Sequence, residues 1–195
     1  MDRLPDCFPA GGGMTPHRIN MRMKDRPARV SAYDRRIAAI HEAGHVLMAL
    51  HLGYEADAWI HQHKTSRPLE EKTWVGHMVL HDRPEDLRHP DVRMIAVAGL
   101  VAEILWKNGH DEEYADQWGW ECYLLDEDSM SPSDWRLAGC EPGDPDDNLF
   151  QTTAEVAKLF LTDLWPDLVG ISRTLMSDTE AIHSFSYGSP AARAA

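Results

Sequence analysis

The stretch Arg36–Leu50 reads RIAAIHEAGHVLMAL. Ile37, Ile40, Ala43 or Gly44, Leu47 and Leu50 recur at steps of three and four residues, the spacing of an amphipathic helix. Upstream, Ser31-Ala32-Tyr33-Asp34 has the form of a capping box with Asp in place of Glu. Downstream, Gly53 offers a stop, so a helix is expected between Ser31 and Gly53.

Inside this helix lies His41-Glu42-Ala43-Gly44-His45, an HExxH motif. Residues four apart share one helix face, so His41 and His45 can both turn an imidazole nitrogen to one zinc ion. Glu42 stands next to that face, where a carboxylate can accept a proton from a zinc-activated water and return it to a leaving amine. Glycine in a helix interior costs about 1 kcal/mol relative to alanine. Gly44 therefore suggests a close approach by another element. Catalytic zinc sites usually take three protein ligands, and the candidates for the third are Glu103, Asp134 and the acidic residues of 111–128. Each has a plain alternative: Glu103 an i,i+4 ion pair with Lys107, Asp134 a helix cap. Residue chemistry alone leaves that choice open.

After the HExxH helix the pattern changes. Ala58-Trp59-Ile60 and Trp74–Leu80 are short and β-prone, separated by a polar turn near Ser66-Arg67-Pro68, and predict a small hairpin or sheet. Pro90 and Asp91 introduce a second helix, about 91–107, ended by Asn108-Gly109. Ser131-Pro132-Ser133 reads as a helix entrance, and segments 147–165 and 166–183 as two further helices. The domain is expected over 31–184, between a flexible proline- and glycine-rich segment at 1–30 and a flexible tail at 185–195. His61, His63, His77 and His81 read as surface residues of the strands, and the tryptophans as core or as an apolar cover.

The 195 residues carry a net charge of −13. Nearly all of it sits in residues 110–147, with thirteen acidic residues against one arginine. Such a surface repels a phosphate backbone, so nucleic acid is an unfavourable partner. The acidic run is expected to be a solvated loop. No apolar stretch is long enough to span a membrane. Three cysteines without a CxxC pair argue against a disulfide scaffold or a Cys-rich zinc site, and a cytoplasmic location is the simplest expectation.

The HEAGH stretch resembles the active-site helix of the FtsH-type zinc metalloprotease domain. Three further stretches agree in order. Trp74-Val75-Gly76-His77-Met78 is similar to that family's glycine-containing, substrate-pairing strand. Ala98-Gly99-Leu100-Val101-Ala102-Glu103-Ile104 resembles its AGRxAEE segment. Ser131–Ala138 resembles the segment that supplies an Asp as third ligand, and Ala157–Leu175 with Thr179-Glu180-Ala181-Ile182 resembles the closing helices. The resemblance covers roughly residues 33–183 and implies a mainly α, FtsH-peptidase-like domain with a small β-hairpin or sheet after the HExxH helix. It implies His41, His45 and Asp134 as zinc ligands, Glu42 as general base and Glu103 as a partner orienting a ligand. It places polypeptide substrate along Val75, Gly76 and His77, and suggests a separate ATPase partner or a homo-oligomer. Ser133 departs from the family's usual Asn, and the interval from Glu103 to Asp134 is lengthened by the acidic segment. The competing expectation is a non-catalytic, zinc-stabilised interaction module, which would close the metal with a fourth protein ligand such as His77, His110 or an acidic residue.

Overall fold

A computed structural model describes residues 26–64, 71–82, 84–86, 89–109 and 112–186. The architecture is mainly α-helical with one small antiparallel sheet, as expected. Helix α1 (Arg26–His51) runs through the middle. From Ile37 to Leu50 every residue but the half-buried His41 is buried, so this part of the helix is enclosed on all sides rather than amphipathic. It is enclosed by helix α2 (Pro90–Asn108), helix α6 (Trp165–Ser177) and strands β1 (Ala56–Gln62) and β2 (Trp74–Leu80).

The start of α1 differs from the capping-box reading. The helix reaches back to Arg26, and Pro27 in its first turn is the signal that fits this start. Asp34 instead accepts hydrogen bonds from the Thr73 amide and hydroxyl, both at 2.8 Å, and Ser31 accepts one from the Trp74 indole at 3.0 Å. These side chains tie the sheet to the helix rather than ending it. Gly53 does end it, at φ +89°, and the following Tyr54 amide reaches back to the Ala49 carbonyl at 2.9 Å.

The sheet has the order β2-β1-β3, with all pairs antiparallel. Its third strand, β3 (His183–Phe185), lies where the sequence predicts the end of a helix and the start of a tail. Helix α6 stops at Ser177. Glu180 then takes a positive φ of 78° and gives its amide to the Ile60 carbonyl, and the Phe185 ring is buried. The strand forms because the open edge of β1 supplies partners that no local pattern announces. The expected helix over Thr179–Ile182 is corrected accordingly. The expected flexible segments fall mostly on residues outside those described.

Helix α2 ends at Gly109 as predicted and packs on helix α4 (Pro132–Ala138) and helix α5 (Asp147–Leu159). Between α5 and α6 the helix widens into a π turn, Phe160–Leu164, immediately before Pro166, which has no N–H to continue the ladder. The acidic segment is more ordered than a solvated loop. It folds as two 3₁₀ turns, Glu112–Ala115 and Gln117–Trp120, and the short helix α3 (Glu121–Leu124). Trp120 and Leu124 are fully buried there, while Asp116, Asp126, Glu127 and Asp128 stay exposed. The aromatic residues thus hold the segment down as core, and the charges face water.

Candidate metal centre

Helix geometry places His41 and His45 on one face of α1, with 3.1 Å between their Nε2 atoms. Helix α4 brings Asp134 to them. Its Oδ2 lies 3.4 Å from His41 Nε2, and its Oδ1 lies 3.6 Å from His45 Nε2. Tetrahedral ligands about 2.0–2.1 Å from zinc stand about 3.3–3.4 Å from one another. The observed separations bracket that value, and two imidazoles with a carboxylate are a donor set that zinc accepts. The residues therefore fit a divalent metal, although the geometry alone does not name it. Among the described residues these three form the only such group.

The outward-facing nitrogens are engaged as metal-binding histidines require. His45 Nδ1–H donates to the Ile95 carbonyl at 2.6 Å, which fixes the tautomer and leaves Nε2 for a ligand role. His41 Nδ1 lies 3.4 Å from Glu103 Oε2, and Lys107 donates to the other oxygen of the same carboxylate. Glu103 thus forms the i,i+4 pair with Lys107 and also faces the outer nitrogen of His41. It stands on the far side of the imidazole from Asp134, so the two acids do not compete for one position.

Asp134 is also a cap. Ser131 and Asp134 form a reciprocal capping box at the start of α4, with Pro132 in the first turn. Its Oδ2 accepts from the Ser131 hydroxyl at 2.7 Å while facing His41. The acidic segment helps hold this helix, because the buried Trp135 donates from its indole to the Glu127 carbonyl at 3.1 Å. From the other end, buried Arg93 of α2 donates to the Ala138 carbonyl at 2.9 Å and pairs with Asp146.

Three glycines make room for the site. A Cβ on Gly44 would fall 2.4 Å from the Ala98 carbonyl, so α1 and α2 touch backbone to backbone there. That is the close approach inferred from the sequence. A Cβ on Gly99 would fall 2.4 Å from His45 Nε2 and 2.7 Å from His41 Nε2. A Cβ on Gly76 would fall 2.2 Å from Glu42 Cγ and 2.5 Å from Glu42 Oε1. Glu42 is therefore clamped between α1 and the inner face of β2, next to the histidine pair. Gly99 and the Ile95 carbonyl are site groups that residue chemistry and spacing do not announce. The only sign of either was a glycine inside an otherwise apolar helix.

The three substrate candidates on β2 divide. His63 N–H bonds the Thr73 carbonyl and His81 N–H bonds the Glu55 carbonyl, which fixes the alternation of the ladder. The odd-numbered residues of β2, Val75 and His77 among them, thus spend their backbone groups on β1. Gly76 and Met78 turn theirs to the open edge. The His77 ring lies on the outer face, stacked on His61 with centroids 5.1 Å apart. Val75 and His77 are thereby removed from the edge, and Gly76 remains.

Burial and neighbouring charge set the protonation of the cluster. Burial pushes Glu42 up to about 7. Burial alone would lower His41, but hydrogen bonds to Asp134 and Glu103 outweigh it and raise the group to about 10. Burial would raise both acids, yet the imidazoles pull Asp134 well below the carboxylate range, and His41 with Lys107 pulls Glu103 to about 2. His45 is lowered, chiefly by burial.

Compared with protein-family models and with curated proteins, the chain matches none. Among the described residues no helix is long and apolar enough to cross a membrane.

Proposed function

We propose that this chain is a zinc-dependent endopeptidase of the FtsH type, acting on unfolded or flexible polypeptide. The observation that carries the reading is the position of Asp134, at 3.4 and 3.6 Å from the two HExxH imidazoles, with Glu42 held beside them over Gly76. Three convergent ligands match the open coordination of catalytic zinc sites, whereas structural sites close with four. His77, a candidate fourth ligand, faces the other side of the sheet; His110 lies outside the described residues.

Zinc bound by His41, His45 and Asp134 would supply a Lewis acid and an activated water. The chain's own groups do the rest. Glu42 accepts a proton at its carboxylate and returns it to the leaving amine. The hydrogen bond at His45 Nδ1 and the carboxylate facing His41 Nδ1 keep the imidazoles in one orientation through turnover. The open edge of β2 offers the N–H and C=O groups of Gly76 and Met78 to an extended peptide, which holds the scissile bond near Glu42 by strand addition.

The test is digestion of an unfolded, casein-like protein by the zinc-loaded chain without ATP, wild type against Glu42→Gln. Cleavage is expected from wild type and a fall of about 10²-fold or more from Glu42→Gln, with zinc content unchanged. Zinc retained by both with cleavage by neither sinks the ATP-independent peptidase and favours a zinc-stabilised interaction module. Adding a separate ATPase partner then distinguishes that module from a latent protease subunit.

A further inference from the structure

The first turn of α4 carries two hydroxyls that lead to Asp134. Ser131 Oγ lies 2.7 Å from Asp134 Oδ2 and 2.6 Å from Ser133 Oγ, and it accepts the Asp134 amide at 3.2 Å. The Ser131 amide adds a longer bond to the same Oδ2, at 3.3 Å. A metal-binding carboxylate is ionised and can only accept, and a serine hydroxyl has one proton to give. Ser131 therefore spends its proton on Asp134, and the proton between the two serines belongs to Ser133. The direction is fixed: Ser133 donates to Ser131, and Ser131 donates to Asp134. Oδ2 stands 3.4 Å from His41 Nε2, yet two donors from Ser131 already occupy it. Neither serine nor the Ser131 amide reaches Oδ1, which faces His45 Nε2 at 3.6 Å.

We infer that Asp134 binds the metal through Oδ1 alone, and that Ser131 and Ser133 are positioning residues that keep Oδ2 out of the coordination shell. The inference rests on the metal centre of the peptidase reading and names the ligand atom there. A carboxylate free to turn can bring both oxygens to one ion, which fills the position that a water needs. Hydrogen bonds on the second oxygen limit it to one, and the site stays open and four-coordinate. A hydroxyl that accepts one bond donates its own more strongly, so Ser133 reinforces the bond from Ser131 to Asp134. Ser133 is exposed, Ser131 half-buried and Asp134 buried, so the relay runs inward from the surface.

The experiment uses the full chain, loaded with Co²⁺ for its visible spectrum and with Zn²⁺ for affinity by competition with a chromophoric chelator. Ser131→Gly removes the hydroxyl but keeps a residue type that helix N-caps tolerate. It is expected to bind zinc about tenfold more weakly or worse. Its cobalt bands should change from the intense four-coordinate pattern to the weaker pattern of higher coordination. Ser131→Thr retains the hydroxyl and should restore both readouts. Ser133→Ala leaves the cap in place and should weaken zinc by less than Ser131→Gly does, with the four-coordinate bands kept. Thermal unfolding confirms that each variant is folded. Wild-type bands of higher coordination, a Ser131→Gly protein equal to wild type in both readouts, or a threonine variant that restores neither overturns the relay. A wild type that takes up neither ion overturns the metal centre itself. Both readouts are blind to cleavage, so a metal-loaded protein that cleaves nothing counts against the peptidase reading and not against the relay.

Discussion

His41 and His45 stand one turn apart on a single helix, whereas Asp134 reaches them from α4, far along the chain. The first pair needs only the 3.6-residue period of α1 to share a face. The third member depends on a capping box, on Trp135 bonded to the Glu127 carbonyl, and on Arg93 clasping the end of α4. Local geometry therefore writes two candidate ligands into the sequence, while the third candidate is a product of tertiary assembly. The two halves should also fail differently.

Gly99→Ala tests whether the histidine pair is as self-sufficient as its spacing suggests. The added methyl would meet both Nε2 atoms at 2.4 and 2.7 Å, and both belong to a closely packed interior. The expected outcome is loss of stoichiometric zinc binding by isothermal titration, with helical content by circular dichroism retained. Zinc affinity equal to wild type would show that the imidazoles can move aside and that α2 does not shape the site.

A smaller effect sharpens the assignment of the two acids. Glu103→Gln keeps the shape and removes the charge that faces His41, so zinc affinity should fall by about 10- to 100-fold. Asp134→Ala should weaken zinc more than that, because a ligand and half of the capping box go together. The reverse order would make Glu103 the ligand.

Arg93→Met acts only on the half assembled at long range. The change strands the Ala138 carbonyl and releases the segment held through Asp146, at a cost of about 1–3 kcal/mol in urea unfolding. Zinc affinity should drop by no more than about tenfold, through looser placement of Asp134 alone. A larger loss, equal to that of a histidine variant, would mean that the two halves are one cooperative unit.

The same contrast explains what could be read from the sequence. The helix around HEAGH, the stop at Gly53, the strand pair and the second helix are all carried by local period and punctuation, and they stand where expected. Ser31-x-x-Asp34 and Ser131-x-x-Asp134 are the same capping signal, yet only the second caps a helix. At the first, a partner distant in sequence, Thr73, takes the carboxylate. Strand β3 and the ordered acidic segment were likewise invisible, because each depends on a surface supplied by another element. Residue chemistry could not decide between Glu103 and Asp134, since both are acids near a predicted helix. The choice came from family resemblance, and the geometry groups Asp134 with the histidines while leaving Glu103 behind His41.

The most delicate test is the pH dependence of the metal-free protein. His41 is raised from its ordinary 6.5 to about 10, so its contribution to stability is complete below pH 6.5 and is lost as pH rises through 10. Glu42 is raised from 4.5 to about 7 by burial, so the folded state also loses ground as pH rises from 4.5 through 7. Glu103, lowered to about 2 as the pull of His41 and Lys107 outweighs burial, contributes above pH 4.5 and loses that contribution only as pH falls toward 2. Between pH 5.5 and 8.5 Glu103 is flat, the lowered His45 opposes the trend only near and below its ordinary 6.5, and His41 and Glu42 both favour the lower pH: with chelator present, the unfolding temperature should be lower at the higher pH. Zinc should invert the slope, because it binds His41 in the neutral form and competes with the proton that the two carboxylates otherwise favour there. A chelated protein more stable at pH 8.5 would mean that His41 is not held charged between Asp134 and Glu103. The long-range half of the site would then place its carboxylates differently from the geometry described.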